Sequence, residues 1–286
     1  MDAKSTDAAE FREEQRDQWN GVAVGWNEWS SYTDDQAGHI CERLVEMADI
    51  NEGDRVLDVA AGYGEPSLTA ARRTGPDGSV VATDISAEML DFGRQRAAAL
   101  GVENIEFMQS DANSLDFPAE SFDAAVSRWG IIFDPDGEGA AAKVRGFLKP
   151  GSRFAIASWG PPERVPFLAI ATKTAMERLD LPPPPPGTPG PLSRPTEEAI
   201  GGLLEGGGFS NIEVEELEVR FAFDSADEYT QFVKAIAAPV VAMISPHPED
   251  VQRETWDAIT EAARESADAE GRVSLSNMVL AAAGQA

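Results

Sequence analysis

Between residues 55 and 158, short runs of β-branched and other apolar residues alternate with amphipathic stretches of helical length. Strands joined in this way by crossover helices lie parallel in one sheet, with helices packed on its faces. The pattern predicts strands at residues 55–60, 80–84, 105–111, 122–129 and 153–159, with helices at about 65–73 and 87–100. The sequence therefore predicts an α/β fold built on a mostly parallel sheet.

The chain after Trp159 follows a different pattern, because prolines at 161, 162 and 182–186 are incompatible with the interior of regular elements. We expect one domain of four parts: an N-terminal helical segment (1–50), a core (51–160), a proline-rich insertion (161–195) and a C-terminal half of the sheet (196–286). In the last part we predict a helix at 196–206, strands at 211–219 and 278–283, and helices at 226–244 and 248–268. These two helices form an insertion near 224–272.

The formal net charge of −27 is the most unusual bulk property. Such a field repels nucleic acid and anionic membrane surfaces, so we expect a small-molecule substrate and no nucleic-acid or stable membrane partner. Adaptation to high salt and an ordinary acidic enzyme both explain the charge. A single cysteine, Cys41, excludes an intramolecular disulfide and fits a cytoplasmic protein. We expect a monomer or a homodimer.

The most informative motif is VLDVAAGYGEPS, in which an apolar strand ends in Asp58 and continues into Gly62, Tyr63 and Gly64 before a helix. Glycines at this point allow a ligand to approach the backbone, and a helix N-terminus offers unpaired N–H groups. The motif indicates a nucleotide-like ligand, although a plain strand-to-helix turn also uses glycines.

Acidic residues also end the next two predicted strands. Asp84 is placed to accept hydrogen bonds from ribose hydroxyls, and Asp111 with the N–H of Ala112 is placed to hold the edge of an adenine ring. Each aspartate alone is more often a helix cap or turn residue. Three acidic strand ends around one glycine loop favour a shared ligand site.

At these positions the chain resembles the class I S-adenosylmethionine-dependent methyltransferases, especially the branch of ubiquinone/menaquinone C-methyltransferases. The resemblance rests on VLDVAAGYG, VVATDIS with the downstream EML, QSDANSLDFPAESFDAAVSRWG, and FLKPGSRFAIASW. It implies a Rossmann-like fold with a central, mostly parallel seven-stranded sheet, helices on both faces and helical cap insertions. It also implies S-adenosylmethionine as cofactor and S-adenosylhomocysteine as product.

The resemblance assigns the cofactor-binding residues. The loop from Asp58 to Gly64 and Arg128 hold the methionine portion, and Asp84 binds the ribose. The adenine contacts four residues: Ile85, Met89, Asp111 and Ala112. The first small position of the usual glycine loop is Ala60 here, a departure that we expect to be sterically mild.

The acceptor side is less clearly marked. Trp26, Trp29 and Tyr32 precede the core and are interpreted either as a lid over the ligand or as ordinary core packing. Trp129 and Trp159, which end predicted strands, are further candidates for the substrate pocket. His39 is a candidate base, with an exposed or capping role as the alternative, and neither His39 nor His247 has metal-site spacing.

The sequence therefore predicts a methyltransferase that acts on a small aromatic, quinone-like, amine or thiol acceptor by in-line displacement. A protein that binds S-adenosylmethionine without catalysis, as a sensor or partner subunit, is the alternative. A nicotinamide-dependent oxidoreductase fits less well, because Ser67 replaces the third glycine of its motif and Asp58 would face a pyrophosphate.

Overall fold

The computed structural model describes residues 3–185 and 187–286 and contains one seven-stranded sheet of order β3-β2-β1-β4-β5-β7-β6. The strands are β1 (Arg55–Val59), β2 (Ser79–Asp84), β3 (Ile105–Gln109), β4 (Phe122–Arg128), β5 (Leu148–Trp159), β6 (Ser210–Phe223) and β7 (Val273–Gln285). Strands β1 to β5 pair in parallel, whereas β7 pairs antiparallel with both β5 and β6. This arrangement confirms the predicted Rossmann-like sheet.

Helices cover both faces of the sheet. They are α1 (Ala3–Glu28), α2 (Ser30–Met47), α3 (Ser67–Thr74), α4 (Ala87–Leu100), α5 (Gly137–Phe147), α6 (Pro166–Arg178), α7 (Glu197–Gly206), α8 (Ala226–Ile236), α9 (Ala238–Ile244) and α10 (Glu249–Arg264). Helix α4 has the predicted bounds because both ends are capped. The Ser86 hydroxyl accepts a hydrogen bond from the N–H of Met89, and Gly101 ends the helix at a φ of 68°.

The alternation of side chains along the strands produces two hydrophobic layers. On β1, Val56 packs into the layer that contains α2, α6 and α8, whereas Leu57 and Val59 pack into the layer that contains α5 and α7. Because both faces of the central strands are covered, these strands are almost continuously apolar. Polar side chains that could contact a ligand therefore lie at the edge of the sheet formed by the carboxyl ends of the strands.

Several predicted elements have different bounds in the structure, most clearly a helix that is divided in two and the last two strands. The helix predicted at 226–244 is two helices, because Pro239 lacks an N–H and cannot continue α8. Strands β6 and β7 are longer than predicted, since they pair with each other from Ser210 and Gln285 to Phe223 and Val273. The proline-rich insertion at 161–195 contains a helix, α6. Pro186, in the same insertion, lies outside the described residues.

Helix α1 packs against α4, α8 and α9, and α2 packs against β5, β6 and β7. The N-terminal segment therefore spans from the cofactor-side helix α4 to the antiparallel part of the sheet. Within residues 3–185 and 187–286, no helix is both long enough and apolar enough to cross a bilayer.

Candidate functional site

A large cavity lies at the carboxyl ends of the strands, between the sheet and the N-terminal and C-terminal helices. Its floor comprises Ala60 to Tyr63, Asp84, Ser110 to Ala112, and Arg128 with Trp129. Residues of α1 and the junction of α8 and α9 cover it. The space between its lining atoms is about 1520 Å³, part of which is open to solvent.

The loop after β1 has an unusual backbone. Ala60, Gly62 and Gly64 all have positive φ angles, of 60°, 56° and 110°. Glycine adopts this region freely, but the Cβ atom of alanine is strained there. The prediction that Ala60 is a mild variant is therefore wrong, because the structure shows that this position has a left-handed backbone.

Asp58 lies beneath this loop and is fully buried. Its Oδ2 accepts a 2.5 Å hydrogen bond from the hydroxyl of Ser67, while Oδ1 has no partner among the described residues. Burial raises the pKa of Asp58 to about 7, an effect that the Ser67 hydrogen bond and the charge of Arg128 oppose. The carboxylate does not itself line the cavity, but its unpaired oxygen is suited to a cationic partner.

Asp84 connects β2 to the glycine loop and lines the cavity. Its Oδ2 accepts a hydrogen bond from the N–H of Gly62 at 2.8 Å, and its Oδ1 accepts one from the N–H of Ser86 at 2.8 Å. Burial raises its pKa to about 6, although these hydrogen bonds favour the ionised form. Each oxygen retains a further lone pair for a ligand hydroxyl.

The lining beside Asp84 is formed by the four residues that the resemblance assigns to adenine, Ile85, Met89, Asp111 and Ala112. Asp111 also caps the short turn that follows β3, because its Oδ1 accepts hydrogen bonds from the N–H groups of Asn113 and Ser114. A capping role and a ligand role are therefore both available to this carboxylate.

Arg128 is buried at the end of β4, where its guanidinium meets residues of the glycine loop and of α2. It donates a hydrogen bond to the hydroxyl of Tyr63 at 3.1 Å and contacts the sulfur of Cys41 at 3.1 Å, while its Nε has no partner in the described part of the chain. The Tyr63 hydroxyl also donates to Asp34 of α2, at 3.3 Å, and Asp34 forms an ion pair with Arg96 of α4. This network ties α2 to the floor of the cavity.

The remainder of the cavity is apolar and aromatic. The rings of Trp129 and Trp159 stack with centroids 4.4 Å apart and an interplanar angle of 7°. Other lining residues on this side are Phe167, Leu168, Phe221, Ile236 and Val240. The cavity thus has a half rich in hydrogen-bonding groups and a half suited to a flat hydrophobic molecule.

Residues 56–151 match the family model described as "Methyltransferase domain". This region is a methyltransferase domain. The match confirms the resemblance to class I methyltransferases that the motifs predict.

Relatives share this region of the methyltransferase domain. The ubiquinone/menaquinone biosynthesis C-methyltransferase of Pseudomonas savastanoi pv. phaseolicola is 38% identical over 119 residues, which cover 41% of this chain and 46% of the relative. The aklanonic acid methyltransferase of Streptomyces sp. (strain C5) is 36% identical over 138 residues, which cover 45% and 63%. The aligned regions therefore span only about half to two thirds of these relatives.

The solved YcgJ protein of Bacillus subtilis has a similar fold, with a TM-score of 0.55 and 18% identity over 87% of this chain and 98% of that one.

The structure separates the aromatic residues that were predicted to form a lid. Trp26 lines the cavity, stacks on Tyr63 at 5.3 Å, and donates its indole N–H to the carbonyl of Ile236. Trp29 and Tyr32 are outside the lining, so their assignment to the substrate pocket is wrong. Both rings pack on Phe232 of α8, and the Tyr32 hydroxyl exchanges hydrogen bonds with the backbone of Ala222 on β6.

His39 does not reach the site, so its assignment as a candidate base is wrong. It lies in the middle of α2 rather than at a helix start, it is exposed, and its Nε2 is 2.8 Å from the carbonyl oxygen of Glu218 on β6. His247 lies between α9 and α10, outside the cavity lining. No cluster of three or more potential metal ligands occurs in the part of the chain that the structure describes.

Several lining residues were missed by sequence reasoning. Helix α1 contributes three of them, Phe11, Arg12 and Gln15, and the loops contribute Glu65 and Asp134. Burial raises the pKa of both loop carboxyls. Glu65 accepts a hydrogen bond from the Thr69 hydroxyl at 2.8 Å, and Asp134 accepts one from the side-chain amide of Asn113 at 2.7 Å. Both residues follow loops at the ends of strands, and this position was the sequence signal that could have identified them as lining residues.

Proposed function

We propose that this chain is an S-adenosylmethionine-dependent methyltransferase whose acceptor is a small, planar, hydrophobic molecule of aromatic or quinone-like type. The observation that carries the proposal is the two-part cavity, in which strand-end carboxylates and Arg128 line one half and stacked indoles line the other.

The buried polar groups fit this cofactor. Asp84 would accept the ribose hydroxyls, and the resemblance assigns the adenine to the surface between Ile85 and Ala112. The unpaired Nε of Arg128, which lines the cavity, suits the carboxylate of the methionine portion, and the charge of Asp58 beneath the glycine loop favours its ammonium. The Arg128 Nε is buried without a partner, which costs about 1–3 kcal/mol unless a ligand satisfies it.

When bound, S-adenosylmethionine supplies a methyl group on a sulfonium, whose leaving group is a neutral thioether. The protein's contribution is alignment and exclusion of water. Trp26 and Trp19 of α1 cover the cavity, while the stacked rings of Trp129 and Trp159 offer a flat aromatic surface against which an acceptor would pack.

The nature of the acceptor follows from the lining. Cavity-lining residues of the described chain include no histidine, lysine or cysteine, and the carboxylates of Glu65 and Asp134 already hold other side chains. An acceptor that has already lost its proton in water, such as an acidic phenol or the enolate of an acidic ring diketone, therefore suits the site, because the lining need not supply a base. The relative named for ubiquinone and menaquinone biosynthesis supports a quinone-like ring.

Calorimetry with S-adenosylhomocysteine tests the cofactor half, and we expect binding at micromolar concentration. Incubation with labelled S-adenosylmethionine and a metabolite extract, followed by mass spectrometry, tests turnover. Binding without any methylated product would indicate the non-catalytic alternative. Binding of a nicotinamide dinucleotide in place of S-adenosylhomocysteine would refute the proposal.

A further inference from the structure

The indole N–H of Trp129 is a buried donor without a partner. Trp129 follows Arg128 at the end of β4 and lines the cavity, yet its Nε1 makes no hydrogen bond within the described residues. Trp26 lines the same cavity, and its indole N–H is paired with a backbone carbonyl. A buried, unpaired N–H costs about 1–3 kcal/mol, so its retention beside a ligand cavity indicates a partner supplied by the ligand.

The backbone at Trp129 is also held in a costly conformation. Its φ is 55°, in the left-handed region that bulky residues rarely adopt. The backbone N–H of Trp129 donates a hydrogen bond to the carbonyl of Ala157 on β5 at 3.1 Å, which helps to hold the main chain in this position. Strain of this kind persists where the surrounding structure imposes it, and it is concentrated at ligand sites.

The surroundings determine what the donor can meet. The Trp129 ring stacks on Trp159, whose other aromatic neighbours are Phe167 and Phe221. The guanidinium carbon of Arg128 lies 5.1 Å from the centroid of the Trp129 ring. The Trp129 ring thus borders the part of the cavity where a flat molecule would meet aromatic rings, with a positive charge close by.

We propose that the Trp129 indole N–H donates a hydrogen bond to a ring oxygen of the methyl acceptor, and that the acceptor is therefore a planar ketone or its enolate. This inference rests on the proposed function and narrows its substrate class. Trp129 would act as a specificity residue: a ring that carries an oxygen satisfies the N–H, whereas a hydrocarbon of the same shape leaves it unpaired.

Two rigid molecules that differ in one oxygen provide the test, 9-fluorenone and fluorene. Affinities are measured by tryptophan fluorescence quenching, with and without saturating S-adenosylhomocysteine. We expect the wild-type protein to bind fluorenone about tenfold more tightly than fluorene. Trp129→Phe keeps an aromatic ring but removes the donor, and should reduce the ratio to one or below. Trp159→Phe is the matched control, because it alters the same stack and leaves the Trp129 donor in place.

A measurement on the unmodified protein guards against a variant that fails to fold. In a ¹H–¹⁵N spectrum the chain gives six indole signals, one for each tryptophan. Fluorenone should move the assigned Trp129 Nε1 proton downfield, and fluorene should not.

Three results would overturn the assignment. These are equal shifts with both ligands, an unchanged affinity ratio in Trp129→Phe, and a loss of S-adenosylhomocysteine affinity in that variant, which would place the donor on the cofactor. Failure of S-adenosylhomocysteine to bind the wild-type protein would instead refute the proposed function, so the two failures are distinguishable.

Discussion

Replacing Asp84 by asparagine separates ligand binding from folding. Both carboxylate oxygens accept a backbone hydrogen bond, from Gly62 and from Ser86, and an asparagine amide has only one oxygen. The variant would also lose the charged acceptor for the ribose hydroxyls. Hydrogen bonds to charged groups contribute about 1.5–3 kcal/mol, so we expect the Kd for S-adenosylhomocysteine to rise about 10- to 150-fold.

The stability of the same variant should change little. Burial raises the pKa of Asp84 from 3.8 to about 6, which corresponds to a cost of about 3 kcal/mol for the ionised form near neutral pH. Asparagine removes that cost while it loses a backbone hydrogen bond of similar magnitude, about 1–3 kcal/mol. Calorimetry and thermal melting of one protein preparation measure both effects.

Asp123→Asn is the matched control. Asp123 also accepts a backbone hydrogen bond, from the N–H of Arg55, but it lies at the amino ends of β4 and β1, away from the cavity. Its replacement should leave the Kd unchanged. If Asp84→Asn binds S-adenosylhomocysteine as tightly as the wild-type protein, Asp84 is only a loop cap and the cofactor assignment fails at this position.

Three further outcomes are expected. Lowering the pH through about 7 and then about 6, the raised pKa values of Asp58 and Asp84, should weaken S-adenosylhomocysteine binding, because the charge of buried Asp58 attracts the ligand ammonium and the charged form of Asp84 accepts its hydroxyls. Since these pKa values are raised, the two groups favour the folded state most at low pH and lose that contribution as the pH rises through 6 to 7, so stability and affinity change in opposite directions. Titration calorimetry and thermal melting across this range measure the two quantities. An affinity that does not change with pH would contradict the assignment. Ala60→Gly should raise the unfolding free energy by about 0.5–1 kcal/mol, because glycine relieves the positive φ, and a lower melting temperature would show that the alanine is not strained. His39→Gln should leave turnover within about twofold of wild type, whereas a loss like that of a catalytic base, about 100-fold or more, would restore His39 to the mechanism.

The central strands and the cofactor half were predictable because each depends on local sequence. Buried parallel strands are short apolar runs, and their polar ends, Asp84 and Asp111, mark where the sheet meets the ligand. The lengths of β6 and β7 were underestimated, because strand ends depend on pairing between segments far apart in the chain. Glutamates interrupt the apolar residues of β6, and Ser274, Ser276 and Asn277 interrupt those of β7, so neither segment has the usual apolar signal at full length.

The acceptor half was harder to predict because it is assembled from distant segments. Trp26, Trp29 and Tyr32 are close in sequence, but the turn between α1 and α2 directs them to different neighbours. Only Trp26 reaches the cavity, and the other two pack on α8 and β6. The unpaired indole of Trp129 is likewise invisible in sequence, because a missing hydrogen bond is a property of three-dimensional surroundings.

The position of β7 has a consequence for the order of assembly. Strand β7 alone is hydrogen-bonded to both β5 and β6, although it is the last strand in the chain and three helices separate it from β6. During synthesis, β6 therefore has no neighbouring strand with which to form hydrogen bonds until β7 has been synthesised. The five parallel strands, which carry Asp58, Asp84 and Arg128, need neither of them to pair. The floor of the ligand cavity can thus form first, and the aromatic wall around Phe221 of β6 is completed only after β7 has paired with β5 and β6.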